Sequence, residues 1–243
     1  MIELHKFRSM LEASQKAYVN NIPKIRINNP ILGEIQTKHV RDSFNPSYIT
    51  TELRNNVGKL LGKELFSLDE CNPKSVGLTM EVEQEYRQKG FNFGEILRLS
   101  SIMMMIQNKI KEFEIYSKHS AIYFHSRYMF EPAITNFQER DSALQSLIKN
   151  CEGKDEYKEF QSEAKEILEK SIIDKDARTQ RDLCVQTNSL LKKYISKVLE
   201  KKNEYKEHPF SSGITMKLTD DNIFTNKKYF NDLFKKHKID YEI

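Results

Sequence analysis

The stretch Met80–Leu97, MEVEQEYRQKGFNFGEIL, gathers the residue types that hold an anion. It uses two of only eight glycines, Gly90 and Gly94, beside Arg87 and Lys89. Val76, Leu78, Met80 and Val82 alternate with polar residues, which predicts a strand running into the turn. After the turn, Ile96, Leu99, Met103, Ile106 and Ile110 recur at helical spacing, with Leu97 and Met104 widening the stripe. Strand, glycine turn and helix start together form a phosphate-binding design. The first N–H groups of a helix have no partner within it, the dipole adds positive charge, and glycine lets backbone approach the ligand. The chain has no GxxxxGK[ST], which argues against a P-loop, and no GxGxxG followed by an acidic residue, which argues against a Rossmann dinucleotide site.

Other reactive residue types are sparse. Cys71, Cys151 and Cys184 are far apart and form no CxxC pair, so free thiols are expected rather than a disulfide framework. His5, His39, His119, His208 and His237 show no metal-ligand spacing, so no metal site is expected. Glu81 and Glu83 share one face of the expected strand, Met80 and Val82 the other.

The elements that must position these residues can be read around the turn. Residues 1–56 read as a short helix, a strand over IPKIRI, and a loop broken by NNP and NPS. An extended run over 57–68, a turn at DECNPKS and the strand over 76–84 predict an antiparallel hairpin. The long methionine-bearing helix follows, its methionines filling core. A strand over 113–117 and a short helix over 121–130, ended before Pro132, come next. Residues 137–207 are rich in Glu and Lys. Phe160, Ala164, Ile167, Leu168 and Ile172 mark one amphipathic face there; Leu190, Leu191, Tyr194, Ile195, Val198 and Leu199 mark another. Two or three long helices are expected, then a strand over 211–221 and an amphipathic helix over 226–237.

Two segments also resemble the GNAT N-acyltransferase superfamily. VEQEYRQKGFNFGEIL is similar to its acyl-CoA-binding pattern V-x-P-E-Y-R-x-x-G-x-G/A, through Val82, Glu85, Tyr86, Arg87 and Gly90. AIYFHSRYMF is similar to a second pattern, A-I-x-x-Y-x-K-x-G-F, through Ala121, Ile122, His125, Arg127 and Phe130. The two matches fall in the family's order, and the resemblance covers about residues 57–135. In departure from the patterns, Asn92 holds the second glycine position, or Gly94 does if two residues are inserted. His125 replaces a tyrosine, and Met129 replaces the glycine before the final phenylalanine.

The resemblance implies an α/β acyltransferase: a mixed, mostly antiparallel sheet split at its fourth and fifth strands, with helices on both faces. One domain would span 1–243, with a helical insertion at about 137–208 and a strand–helix segment at 209–243. It implies acetyl-CoA as co-substrate and an amine-bearing small molecule or protein as acceptor. Arg87, Gln88, Lys89, Gly90, Phe91, Asn92, Phe93 and Gly94 would wrap the CoA pyrophosphate, and Met80 and Val82 would offer main-chain groups to pantetheine. Glu81 or Glu83 would take the amine proton, directly or through water, and His125 would protonate the departing sulfur. The insertion would set acceptor choice or the contacts of a homodimer. The alternative is a CoA-binding or regulatory protein that keeps the fold without turnover.

Bulk composition fits these expectations. A net charge of +4, from 39 basic and 35 acidic side chains, is too balanced to suggest a nucleic-acid protein by itself. The start is too charged for a signal-peptide core and no stretch nears a membrane span, so a soluble cytoplasmic protein without membrane partners is expected.

Overall fold

A computed structural model describes residues 22–45, 47–68, 74–87, 90–201 and 204–243. The helix expected at the N-terminus, most of the DECNPKS turn, Cys71, His5, Gln88 and Lys89 lie outside these residues. In chain order the described elements are β1 (Arg26–Asn29), β2 (Gly33–Arg41), β3 (Tyr48–Asn55), β4 (Leu60–Leu68), β5 (Lys74–Val82), α1 (Gln84–Arg87) and α2 (Phe93–Gln107). There follow β6 (Glu112–Ser117), α3 (Ala121–Ser126), β7 (Glu131–Pro132), α4 (Phe137–Cys151), α5 (Lys158–Ile173) and α6 (Ala177–Leu199). Last come β8 (Ile214–Thr219), α7 (Asp220–Thr225) and α8 (Lys227–Lys236). The fold is α/β with antiparallel strand pairing in both of its compact units, which take residues up to Phe113 with 219–243, and 114–218.

In the first unit β1 to β5 form an antiparallel meander in chain order. The hairpin expected over 57–84 is β4–β5. The loop expected over 28–56 is instead largely β2 and β3. Their inward positions alternate as a strand requires, but polar residues hold four of the seven: Thr37 and His39 follow Ile35, and Thr51 and Asn55 accompany Ile49 and Leu53. Hydrogen bonds make that burial tolerable. Thr37 Oγ1 accepts the Ile25 N–H at 2.8 Å, and His39 Nδ1 lies 2.9 Å from Thr51 Oγ1.

α2 packs across β3, β4 and β5 and is buried along most of its length, including Met103, Met104 and Met105. Gly62 lets it come close. A Cβ there would stand 2.8 Å from Glu81 O and 3.2 Å from Leu97 Cδ1. Beside that approach lies a fully buried charge pair. Arg98 of α2 meets Glu64 of β4 at 3.0 Å, Ser101 Oγ donates to the other Glu64 oxygen, and Arg98 Nη2 touches the Met80 sulfur at 3.7 Å. Burial pushes the Glu64 carboxyl up, and Arg98 opposes that rise.

The far end of the chain returns to the start of α2. His237 Nε2 and Lys236 Nζ donate to Glu95 Oε2 at 2.6 and 3.0 Å. These bonds, His237 first, hold the Glu95 carboxyl down from 4.5 to about 2 against the opposing effect of burial.

In the second unit β6 continues beside β8, and β8 pairs with β7. α4, α5 and α6 are the helices expected between 137 and 207. Asn136 and Asp176 cap α4 and α6, each accepting two N–H groups of the first turn. Ile172 departs from its expected face and is 64 % exposed; Ala164, Ile167 and Ser171 are the buried positions of α5. Tyr123, Tyr157, Tyr194 and His208 form a buried aromatic cluster. Lysine can only donate, so Lys154 Nζ at 2.8 Å makes His208 Nε2 an acceptor and leaves Nδ1–H to donate to Tyr194.

Two outcomes are expected. Arg98→Ala, which strands a buried carboxylate, should cost about 3–5 kcal/mol in denaturant unfolding, whereas Glu64→Leu with Arg98→Met should cost far less; equal losses would contradict this account of the pair. The Glu95 clasp acts in acid. Its carboxyl is depressed on folding, so its contribution is complete above about pH 4.5 and is lost as pH falls toward about 2. Thermal melts across that window should fall more steeply for wild type than for Glu95→Gln, and parallel slopes would refute the clasp.

Candidate functional site

The loop joining β5 to α2 carries most of the residues marked in the sequence. Met80 and Val82 are half-buried on the face that α2 covers, Met80 paired with Glu64 and Val82 with Gly62. A bulge interrupts the β4–β5 pairing between Leu65 and Phe66, leaving Leu78 as the extra residue. Bulges turn a strand and re-aim its groups. Glu81 and Glu83 are exposed, as strand alternation requires for Glu81. Glu81 stands 3.5 Å from Lys63, with over half of its side chain in solvent.

The backbone then turns through two left-handed residues. Gly90 has φ 70° and Asn92 has φ 56°, ψ 31°. Asn92 sits at the N-cap of α2, yet its side chain caps nothing. Its carbonyl accepts the N–H groups of Glu95 and Ile96. The helix start therefore lacks the side-chain acceptor that usually satisfies its first N–H groups. A Cβ on Gly90 would meet nothing within 4 Å, so the protein leaves space there.

Aromatic packing holds this turn. Phe91 and Phe93 stack at 5.2 Å, and Tyr86 meets their edges at 5.8 and 5.6 Å. Arg87 Nε donates to Val82 O at 2.7 Å, tying α1 back to the strand end. Lys59 stands 2.6 Å from Glu85 and 5.4 Å from the Tyr86 ring centroid. At the helix start the Glu95 carboxylate would repel an anion, but Lys236 and His237 engage it.

His125 belongs to the second unit, near the end of α3. It is 7 % exposed, with the Phe124 and Phe130 rings 5.0 and 5.7 Å away. Its carbonyl accepts the N–H groups of Tyr128 and Phe130. Met129 between them has φ 62°. Asn92 and Met129 thus both lie where the backbone is left-handed.

Among the described residues no group of three or more His, Cys, Asp or Glu side chains could hold a metal ion. Among the described residues no helix is long and apolar enough to cross a membrane. The residue pair that sequence reasoning missed is Glu64–Arg98. Its signal was a charge at an inward strand position facing a charge on an apolar helix face.

No protein-family model matches the chain, and no curated relative does. Solved structures similar to part of it include several acetyltransferases. They include a GNAT-family acetyltransferase from Staphylococcus aureus, at 22 % identity and TM-score 0.32, over 36 % of this chain and 56 % of that one. The PaiA N-acetyltransferase of Thermoplasma acidophilum, solved with coenzyme A, matches at 18 % and 0.32, over 37 % and 55 %. The ribosomal-protein-S18-alanine N-acetyltransferase of Escherichia coli matches at 16 % and 0.33, over 37 % and 57 %. This chain spans less than two-thirds of the length of each.

Proposed function

We propose that this protein is an N-acyltransferase that moves an acetyl or other acyl group from CoA to a primary amine. The observation that carries this reading is the left-handed pair Gly90 and Asn92 directly before an uncapped helix start. Backbone N–H groups gathered in that way form an anion-binding concavity, and the helix dipole favours negative charge there. Asn tolerates the left-handed region better than most residues, which favours the ungapped register in which Asn92 takes the second glycine's place.

In this reading Arg87 to Gly94, with Gln88 and Lys89 among them, surround the pyrophosphate of the acyl-CoA. Met80 and Val82 offer main-chain groups to the pantetheine arm. The acceptor amine attacks the thioester carbonyl, a C–N bond forms, the C–S bond breaks, and the sulfur leaves as thiolate. Glu81 or Glu83 takes the proton that the amine loses, directly or through a water molecule. His125 supplies a proton to the sulfur, a role that a protonated imidazole can fill. A second reading, a CoA-binding protein without turnover, is favoured by the apolar enclosure of His125 between Phe124 and Phe130.

Calorimetric and thermal-shift titrations with CoA and acetyl-CoA test the proposal. Ligand at 100 times its Kd should stabilise the wild type by about 2.7 kcal/mol. Arg87→Glu with Gly90→Asp should abolish that gain, while Asn92→Gly keeps it. Absence of saturable CoA binding by the wild type would defeat the proposal. Thiol release with a panel of amines separates the two readings: turnover lost in His125→Ala supports the transferase, and binding without turnover supports the silent protein.

A further inference from the structure

The sheet face opposite α2 carries a second concentration of positive charge. The register places Lys38, Glu52, Lys63 and Glu81 abreast on β2 to β5, an alternation of sign that suits neighbouring strands. The adjacent row does not alternate. Arg26, Gln36 and Arg54 stand abreast on β1, β2 and β3, with no acid among them. A cavity of about 210 Å³ opens there, lined by Lys24, Arg26, Lys38, Arg54, Gln36 and Asn55 among others, and none of its lining residues is acidic.

Among the described residues Arg54 alone of these four cations makes an ion pair, and Lys38 stands opposite the same acid, Glu52, in the register. Arg54 pairs with Glu52 at 2.7 Å and also donates to Gly58 O at 2.6 Å. Lys24, Arg26 and Lys38 make no ion pair among the described residues. Asn55 is 8 % exposed, and its Oδ1 accepts the Lys59 N–H at 2.8 Å. Its Nδ2 has no partner among the described residues. The field is felt nearby: His39 is held down to about 4, by burial first, with Lys24 adding to the effect and a bond to Pro23 opposing it.

Guanidinium and ammonium groups around a cavity with no carboxylate in its lining suit an oxyanion, and arginine forks match phosphate geometry in particular. The cavity is below the roughly 300–1,000 Å³ of sites that enclose a drug-sized ligand. It fits a phosphate head better than a whole nucleotide. We propose that this cavity binds the phosphate group of a small phosphorylated molecule, or inorganic phosphate, at a site separate from the start of α2.

Calorimetry at low ionic strength tests the proposal with inorganic phosphate and glycerol phosphate, with acetate and a short single-stranded RNA as controls. One saturable site for phosphate or its ester is expected, weakened at least tenfold in Arg26→Gln with Lys38→Gln. Both positions are exposed, so this variant should unfold at the wild-type denaturant midpoint. Tighter binding of the ester assigns the natural ligand to phosphate monoesters; equal affinity assigns it to free phosphate. Arg87→Glu with Gly90→Asp should leave this binding intact, which separates the site from the CoA reading. The proposal is overturned by any of four results: no saturable binding, unchanged affinity in the Arg26/Lys38 variant, loss in the Arg87/Gly90 variant instead, or equal binding of acetate. Binding of RNA alone would also overturn it.

Discussion

The contact between Glu64 and Arg98 governs how α2 lies on its sheet. Both side chains are almost wholly out of solvent, so each charge depends on the other for compensation. A helix free to rotate would break the pair, because side chains leave a given line within one residue at 3.6 per turn. Ser101, one turn further on, holds the second Glu64 oxygen, and Arg98 reaches the Met80 sulfur on β5 and the Phe113 ring. The pair therefore fixes the rotation of α2 against β4 and β5. With the helix fixed, so is the direction in which its first N–H groups point.

That fixed start makes the electrostatics around it legible. Glu95 in the first turn favours the helix, since a negative charge there complements the dipole. The same charge would weigh against an anionic ligand. Engagement of Glu95 by His237 and Lys236 keeps the benefit to the helix and brings positive charge close to its start. The C-terminal helix thus contributes to the site without supplying any residue of its turn. Nothing in the pattern of Lys227–Lys236 as an amphipathic helix foretold that use, because pairing across 142 positions leaves no local trace.

Elements with apolar periodicity could be read directly: the β4–β5 hairpin, α2 and the three helices after Asn136. β2 and β3 could not, because Thr37, His39, Thr51 and Asn55 take inward places that apolar residues usually mark. Hydropathy alternation fails where hydrogen bonding, rather than apolar character, makes a side chain suitable for burial. Of the candidate site, the turn and its helix start followed from glycine and charge in one short stretch. The Glu64–Arg98 pair and the cationic cavity did not, since both depend on cross-strand register. The sign alternation Lys38, Glu52, Lys63, Glu81 and its failure one row away emerge only when four strands are laid side by side.

Glycine adopts positive φ at little cost, so Gly90 alone would show only that a turn exists. Asn92 and Met129, like Lys109, His119 and Lys238, are different. The left-handed conformation costs an ordinary L-residue about 1–2 kcal/mol, less for Asn. Met129 has no polar side chain to offset that cost locally. Such a conformation persists where the surrounding structure enforces it, and strain of this kind concentrates at functional sites. Around Met129 the chain closes two hydrogen bonds onto the His125 carbonyl; around Asn92 it opens a helix start without a cap.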